Sequence, residues 1–365
     1  MTQSAYIHIP FCKSKCNYCS FVSYTGSDCE RRKKYVDTLL LEIENYYKDE
    51  PLKTLYIGGG TPSLLSVEDL KRILYCFNYD PSAEITIEIN PETVDLDYLT
   101  ALKNTGFNRV SIGVQSFDNS ILRSIGRIHN SQKALQTIIE AQKAGFKNIS
   151  TDFIYGLPRQ TLDKFIKDLN TAIELGVEHI SLYGLKIEEG CKFYKTMPEN
   201  IADDDLQADM YLAAIDALEK AGYKHYEISN FAKNGFESRH NLNYWNDGEY
   251  YGFGAAAHGY IGGVRYSNYT DLKEYYKNYD SKEFLEALNT QERLEECIFL
   301  GFRKGEGINI NKLNERFGID FEAFYKNILD KYTATNHLIK TPTGYRLSNE
   351  GFLISNIILA EFIDC

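Results

Sequence analysis

The stretch Ala5-Tyr6-Ile7-His8-Ile9-Pro10-Phe11-Cys12-Lys13-Ser14-Lys15-Cys16-Asn17-Tyr18-Cys19 decides how this chain is read. Residues 5–9 form a short apolar strand. Three cysteines follow in one loop, with three residues between the first pair and two between the second. Three thiolates so placed can hold three corners of an iron–sulfur cubane, because thiolate is the ligand such clusters use. The fourth iron then has no protein ligand in this run, and an open position on a metal centre is where chemistry or a second ligand goes. Zinc and disulfide readings compete. A zinc site wants a fourth ligand, and zinc motifs come as two separated pairs. His8 is near in sequence, but its place on an alternating strand reads as structural. A disulfide leaves one of the three cysteines over, and nothing else in the chain points to an oxidising compartment. The other five, Cys29, Cys76, Cys191, Cys297 and Cys365, are dispersed as reduced core cysteines are.

Outward from that loop, strand and helix patterns alternate. Runs rich in Ile, Val, Leu and Tyr at 54–57, 84–89, 109–114, 150–154 and 179–183 read as further strands. Helical periodicity lies between them at 31–47, 67–76, 96–104, 119–124, 132–144 and 162–174. Gly106, Gly145 and Gly176 fall where three of these helices should end in left-handed caps. Successive strand–helix units imply a parallel sheet with right-handed crossovers. The expected fold class is α/β, a partial (β/α)6 TIM-like barrel rather than a Rossmann sheet. Placement of the unusual residues decides this. The cysteine loop follows the first strand, and Gly58-Gly59-Gly60-Thr61-Pro62 follows the second. Glu88 and Asn90 end the third, Gln115 the fourth, and Asp152 with Tyr155-Gly156-Leu157-Pro158 the fifth. Polar groups gathered at the C-terminal ends of barrel strands make an active face.

Past residue 200 the pattern changes. Asp203-Asp204-Asp205 caps a helix running to about residue 220. A strand at 226–229, a loop holding His240–Trp245, a Gly- and Ala-rich stretch at 252–263 and helices at 272–279, 290–302 and 310–316 are expected next. The stretch 338–347 reads as a hairpin turning at Thr343-Gly344. The division expected is a barrel over 1–200, a smaller α+β extension over 201–290, and a winged-helix-like segment over 291–365. From Arg303 onward basic and acidic residues balance, so packing is a better reading of that tail than DNA binding.

The chain has 365 residues, 43% of them hydrophobic, with a net charge of -11. That is enough for a large core and argues against a nucleic-acid partner, which needs a basic face. No leader pattern opens the chain and no apolar run reaches membrane-spanning length. Cys365 stands last rather than fourth from the end, so no prenylation motif is present. A soluble, cytoplasmic protein is expected.

Singly, the polar strand-end residues are weak signals. A glycine triplet lets backbone approach a ligand but is more often a tight turn, and no Lys-Ser/Thr follows to make a phosphate loop. Glu88 sits in an apolar strand and needs a partner, for which a salt bridge would serve as well as a ligand hydroxyl or amine. Gln115, Arg127 and Asp152 are similar cases.

Together they resemble one family. Tyr6–Pro10 with the cysteines, Gly58–Pro62, Ile87-Glu88-Ile89-Asn90-Pro91-Glu92, Gly113-Val114-Gln115-Ser116-Phe117 and Asp152–Pro158 resemble the radical S-adenosylmethionine (SAM) proteins related to oxygen-independent coproporphyrinogen III oxidase, over nearly the whole chain. The resemblance implies a 4Fe–4S cluster on Cys12, Cys16 and Cys19 whose fourth iron is chelated by SAM. It implies SAM contacts from Tyr6, Tyr18, Gly59, Gly60, Thr61, Glu88, Gln115, Arg127 and Asp152. Arg127, in Ile125-Gly126-Arg127-Ile128-His129, is the loosest of the later matches.

Two departures separate the chain from the oxidase. The oxidase pattern has a further cysteine two residues after the third ligand, where Phe21 stands here, and it has an N-terminal extension. A sister group of heme chaperones shares both departures and carries His-Asn-x-x-Tyr-Trp, present as His240-Asn241-Leu242-Asn243-Tyr244-Trp245. Histidine is a common axial ligand of heme iron, and aromatic walls suit a flat macrocycle. On chemistry alone this motif reads as a packing cluster. The resemblance makes it a heme site with His240 as the ligand. Two function classes follow. One is a carrier that passes heme to an acceptor protein, with a membrane-associated respiratory protein and a homodimer within what the resemblance admits. The other is an enzyme in which reductive cleavage of SAM gives a radical that abstracts hydrogen from a porphyrinogen. Phe21 and the His240 motif favour the carrier, and oxidase activity on coproporphyrinogen III is not expected.

Overall fold

The computed structural model describes residues 2–363, and Cys365 lies outside the described residues. In chain order come β1 (Ser4–Ile9), α1 (Cys29–Tyr46), β2 (Leu52–Gly59), α2 (Val67–Leu74), β3 (Tyr79–Ile89), α3 (Leu96–Thr105), β4 (Arg109–Gln115), α4 (Asn119–Ser124), α5 (Ser131–Lys143), β5 (Ile149–Tyr155), α6 (Leu162–Glu174) and β6 (His179–Gly184). β1 to β6 are parallel and pair in sequence order. Side-chain caps start the helices: Ser66 accepts from the Asp69 amide, Asp95 from Tyr98, Asn130 from Lys133 and Thr161 from Lys164. Gly106, Gly145 and Gly176 have positive φ at the helix ends, as expected.

The strand period of two sorts the side chains. Ala5, Ile7 and Ile9 are buried in the helix-facing core with Leu55, Ile57 and Ile87. On the other face the sheet is polar inside. Tyr56 bonds Glu88, Ser111 bonds Asp152, and Ser150 bonds both His179 and Ser181. Buried polar groups of this kind must pair with one another or with a ligand.

The sheet runs past both expected ends. After α7 (Lys192–Lys195) and α8 (Asp204–Lys220), β7 (Lys224–Glu227) and β8 (Asn230–Ala232) stand where one strand at 226–229 was expected. They extend the sheet antiparallel beyond β6. The stretch expected to be a loop at His240–Trp245 is instead a short helix, α9 (Arg239–Trp245), started by the Ser238 side chain on the Asn241 amide. β9 (Tyr251–Phe253) then lies parallel beside β1, so the nine-stranded sheet stays open with β7 and β9 at its edges. Gly252 permits this, because a Cβ there would fall 1.8 Å from the His258 carbonyl oxygen.

β10 (His258–Ile261), β11 (Val264–Ser267) and β12 (Phe284–Ala287) form a second, antiparallel sheet, with α10 (Leu272–Lys277) ending short of the expected 279. Glu42 of α1 clamps this region. Fully buried, it accepts from the Gly254 amide at 2.8 Å, Asn268 Nδ2 at 2.7 Å, the Tyr275 hydroxyl at 2.8 Å and Lys282 Nζ at 2.8 Å. The tail comprises α11 (Thr290–Phe302), β13 (Ile308–Asn309), α12 (Ile310–Phe317), α13 (Phe321–Phe324), α14 (Lys326–Ala334), β14 (Leu338–Thr341), β15 (Gly344–Leu347), α15 (Asn349–Leu353) and α16 (Ser355–Ala360). α11, α12 and the β14–β15 hairpin stand where two helices and a hairpin were expected, though the hairpin turns at Pro342-Thr343, whereas β13 and α13 to α16 were not expected.

Candidate cluster and cofactor site

A cavity of about 400 Å³ opens at the C-terminal ends of the barrel strands. The cysteine loop forms one wall and is held from both sides. The Cys12 amide donates to Tyr24 O at 3.0 Å, and Asn17 bonds Ile125 O and Ser124 O at 2.9 Å each. Cys12, Cys16, Cys19, Tyr18, Gly59, Gly60, Thr61, Glu88, Gln115, Arg127 and Asp152 all line the cavity. Of the residues expected to contact SAM, Tyr6 does not, and neither does His240, which was expected at a separate heme site.

Among the described residues no three His, Cys, Asp or Glu side chains converge closely enough to hold a single metal ion. A cubane instead spreads its irons over several thiolates. Burial pushes the Cys19 thiol up to about 11 and raises that of Cys12, so metal binding here would expel protons. Donors already point at the sulfurs: the Thr61 hydroxyl lies 3.6 Å from Cys12 Sγ and Arg127 Nη1 3.6 Å from Cys16 Sγ. Asn90 joins the two, donating to Thr61 at 2.9 Å and accepting from Arg127 at 2.8 Å. The buried Nε of Arg127 has no hydrogen-bond partner. These residues fit a cluster.

The opposite wall suits a cation. Glu88 accepts from the Tyr56 hydroxyl at 2.9 Å and the Gly59 amide at 3.1 Å. Burial first, and then the charge of Asp152, push its carboxyl up to about 7. Burial also raises Asp152, against hydrogen bonds from Ser181, Ser111 and Ser150. Two buried carboxyls facing one cavity repel when ionised, and a cationic ligand would relieve both. SAM carries a sulfonium and an ammonium. Gly59, at φ 108°, brings backbone close: a Cβ would meet the His8 ring at 2.5 Å. Gln115 takes φ 67°, a left-handed conformation sparse for residues other than glycine, at the bulge where β4 meets β5. The wall fits SAM.

Tyr6 lies behind that wall, its hydroxyl 3.0 Å from His8 Nδ1 and its ring 6.3 Å from Tyr56. His240 lies at the other end of the barrel. Its Nδ1 is 2.8 Å from Thr54 Oγ1, its Nε2 2.8 Å from the Tyr244 hydroxyl, and its ring stacks on Tyr56 at 5.2 Å. Glu84 accepts from the amides of Arg239 at 3.2 Å and His240 at 3.1 Å. Thr54 and Glu84 are register partners upstream of Gly58 and Glu88 on β2 and β3, so α9 plugs the barrel floor. Burial pushes the imidazole down to about 3, which keeps it neutral. Neutral suits a metal ligand, but both nitrogens are engaged and the residue is 1% exposed. As arranged, His240 does not fit an axial ligand of heme.

The family model described as the radical SAM superfamily matches residues 6–172, and that of the HemN C-terminal domain matches 288–354. Heme chaperone HemW of Lactococcus lactis subsp. lactis is 36% identical over 371 residues, covering 99% of this chain and 97% of that protein. Heme chaperone HemW of Bacillus subtilis is 36% identical over 376 residues, covering 99% of each. This chain belongs to the HemW family of radical SAM proteins. Among solved structures, the Escherichia coli coproporphyrinogen III oxidase HemN, a radical SAM enzyme, superposes with a TM-score of 0.88. It is 23% identical and covers 99% of this chain and 90% of its own, a likeness that shows the fold.

Membership of the HemW family implies the 4Fe–4S cluster and SAM that the mouth fits. The sequence reading passed over Tyr56 and Ser111, and placed Asn90 at the end of the third strand without giving it a role. Asn90 was visible as a polar residue ending an apolar strand. Tyr56 and Ser111 look like ordinary strand residues, and only their partners, Glu88 and Asp152, mark them.

Proposed function

We propose that this chain is a heme carrier that holds a 4Fe–4S cluster on Cys12, Cys16 and Cys19, keeps SAM on the open iron, and passes heme to an acceptor protein. Kinship along the full length with proteins named heme chaperone HemW carries this reading. Phe21, standing where the oxidase pattern has cysteine, supports it. When bound, the cluster and SAM supply one-electron chemistry at the sulfonium. The chain's own groups do the rest. Thr61 and Arg127 donate to thiolate sulfur, Glu88 and Asp152 balance SAM's positive charge, Gly59 and Gly60 admit it to the backbone, and Tyr18 and Gln115 close the wall. Among the described residues no helix is long and apolar enough to cross a membrane. A cytoplasmic carrier meeting a membrane-associated acceptor is the setting this reading implies.

A second reading, an enzyme acting on a porphyrinogen, draws on the complete SAM wall and the oxidase-like fold. Anaerobically reconstituted protein with SAM separates the two. The carrier shifts the Soret band of added heme and leaves coproporphyrinogen III unconverted. Catalytic, SAM-dependent conversion would move the chain to the enzyme class.

A further inference from the structure

The plugged floor leaves open where heme sits. At the mouth, Phe21 is 66% exposed and Tyr183 45%. Both line the opening together with Lys15, Leu185 and Lys186. Phe21 directly follows the cysteine loop, whereas Tyr183 nears the end of β6. Glu188 ties the two sides: it accepts from Ser20 Oγ at 2.8 Å and pairs with Lys186 at 2.8 Å. The rim is therefore braced before any ligand arrives. Lys15 is exposed on the loop and its charge reaches Cys19.

We propose that heme binds at this mouth, with its apolar ring against Phe21 and Tyr183 and its propionates toward Lys15. The proposal rests on the heme reading above. A porphyrin is flat and apolar with acidic edges, so it wants aromatic surface flanked by cations. Deeper in, Glu88 and Asp152 repel an anion, which keeps the macrocycle on the rim. A cation bound to those carboxylates removes the repulsion, so heme affinity rises when SAM is present. On the rim itself the carboxylate of Glu188 is already engaged by Lys186 and Ser20. His240 then serves heme indirectly, by closing the floor beneath the strands that build the rim.

The test is a heme titration, followed at the Soret band, of full-length cluster-loaded protein with and without SAM. Phe21→Ser is expected to weaken heme roughly tenfold, the equivalent of one lost aromatic contact. Phe21→Tyr should stay near wild type. Lys15→Glu should weaken it about fivefold at low salt and less at high salt. Cluster absorbance and circular dichroism report intactness, which Phe21→Ser should keep, because the hydrogen bond to Cys19 comes from the Phe21 backbone. Wild-type affinity in folded Phe21→Ser and Lys15→Glu overturns the site. If folded His240→Gln alone then loses heme, the floor is the site and the carrier reading stands. Absence of heme binding by the wild type defeats both.

Discussion

Glu84 and Glu88 stand on the same face of β3 and meet opposite fates. Glu84, at the floor, is met by the chain itself, through two backbone amides of α9. Glu88, at the mouth, has a tyrosine and one amide but also faces Asp152, and its carboxyl is pushed up to about 7. The floor is closed by the chain's own α9, although the buried Nε of Arg109 beside Glu84 has no hydrogen-bond partner either. The mouth, with its raised carboxyls, its unpartnered Arg127 Nε and its raised thiols, is arranged for something the chain does not supply. A side chain's place along a barrel strand thus separates closure from binding, even where residue type and facing are identical.

The largest expected effects fall at the mouth. Alanine at any one of Cys12, Cys16 or Cys19 should abolish the brown chromophore and its iron. Cys29→Ala, Cys76→Ala, Cys191→Ala and Cys297→Ala should keep both. Iron analysis of the triple alanine variant decides it, since full retention would break the contrast at its root.

Next in size is the floor. His240→Ala removes a stacked ring and strands two buried hydroxyls, those of Thr54 and Tyr244. The expected loss is about 2–4 kcal/mol of stability, read as a lower urea midpoint. Wild-type stability would mean that α9 is no plug.

The sequence told these two ends apart only in part. Six parallel strands were legible because their helix-facing sides are runs of Ile, Val and Leu. Most mouth residues were legible because a polar residue ending such a run is conspicuous. α9 was not. Asn241-Leu242-Asn243 has little helix propensity, and the helix stands on the Ser238 cap and its docking to Glu84, a residue far away in sequence. β9 was hidden by Gly252 and by pairing with β1 from the far end of the chain. Tyr6 and His240 show the remaining limit: a motif match names a residue without saying at what depth the fold sets it, behind the wall for Tyr6 and at the floor for His240.

Glu88→Gln sharpens the comparison by its sign. It should weaken SAM by roughly 1.5–3 kcal/mol, the worth of a charged hydrogen bond. Unlike His240→Ala, it should leave the SAM-free protein at pH 8 as stable as wild type or more so, because a buried charge is removed. Calorimetry and thermal melts on the same sample read both. A Glu88→Gln variant as destabilised as His240→Ala would make the mouth carboxylate structural.

The smallest effect is the pH dependence of that site. Glu88 titrates near 7 in the folded chain, against an ordinary 4.5. Its stabilising contribution is therefore fully present below about 4.5 and is lost as pH rises through about 7. Asp152 is raised as well, and burial pushes Glu227 up to about 7, so both add in the same direction. SAM binding runs the other way, because a cation needs the carboxylate ionised. Between about pH 4.5 and 7 the SAM-free protein should lose stability, while its affinity for SAM rises up to about pH 7 and then levels off. Glu88→Gln should flatten the affinity profile and leave the Glu227 share of the stability profile in place. A profile equally steep in the variant would assign the proton to another group and remove Glu88 from the cation-binding wall.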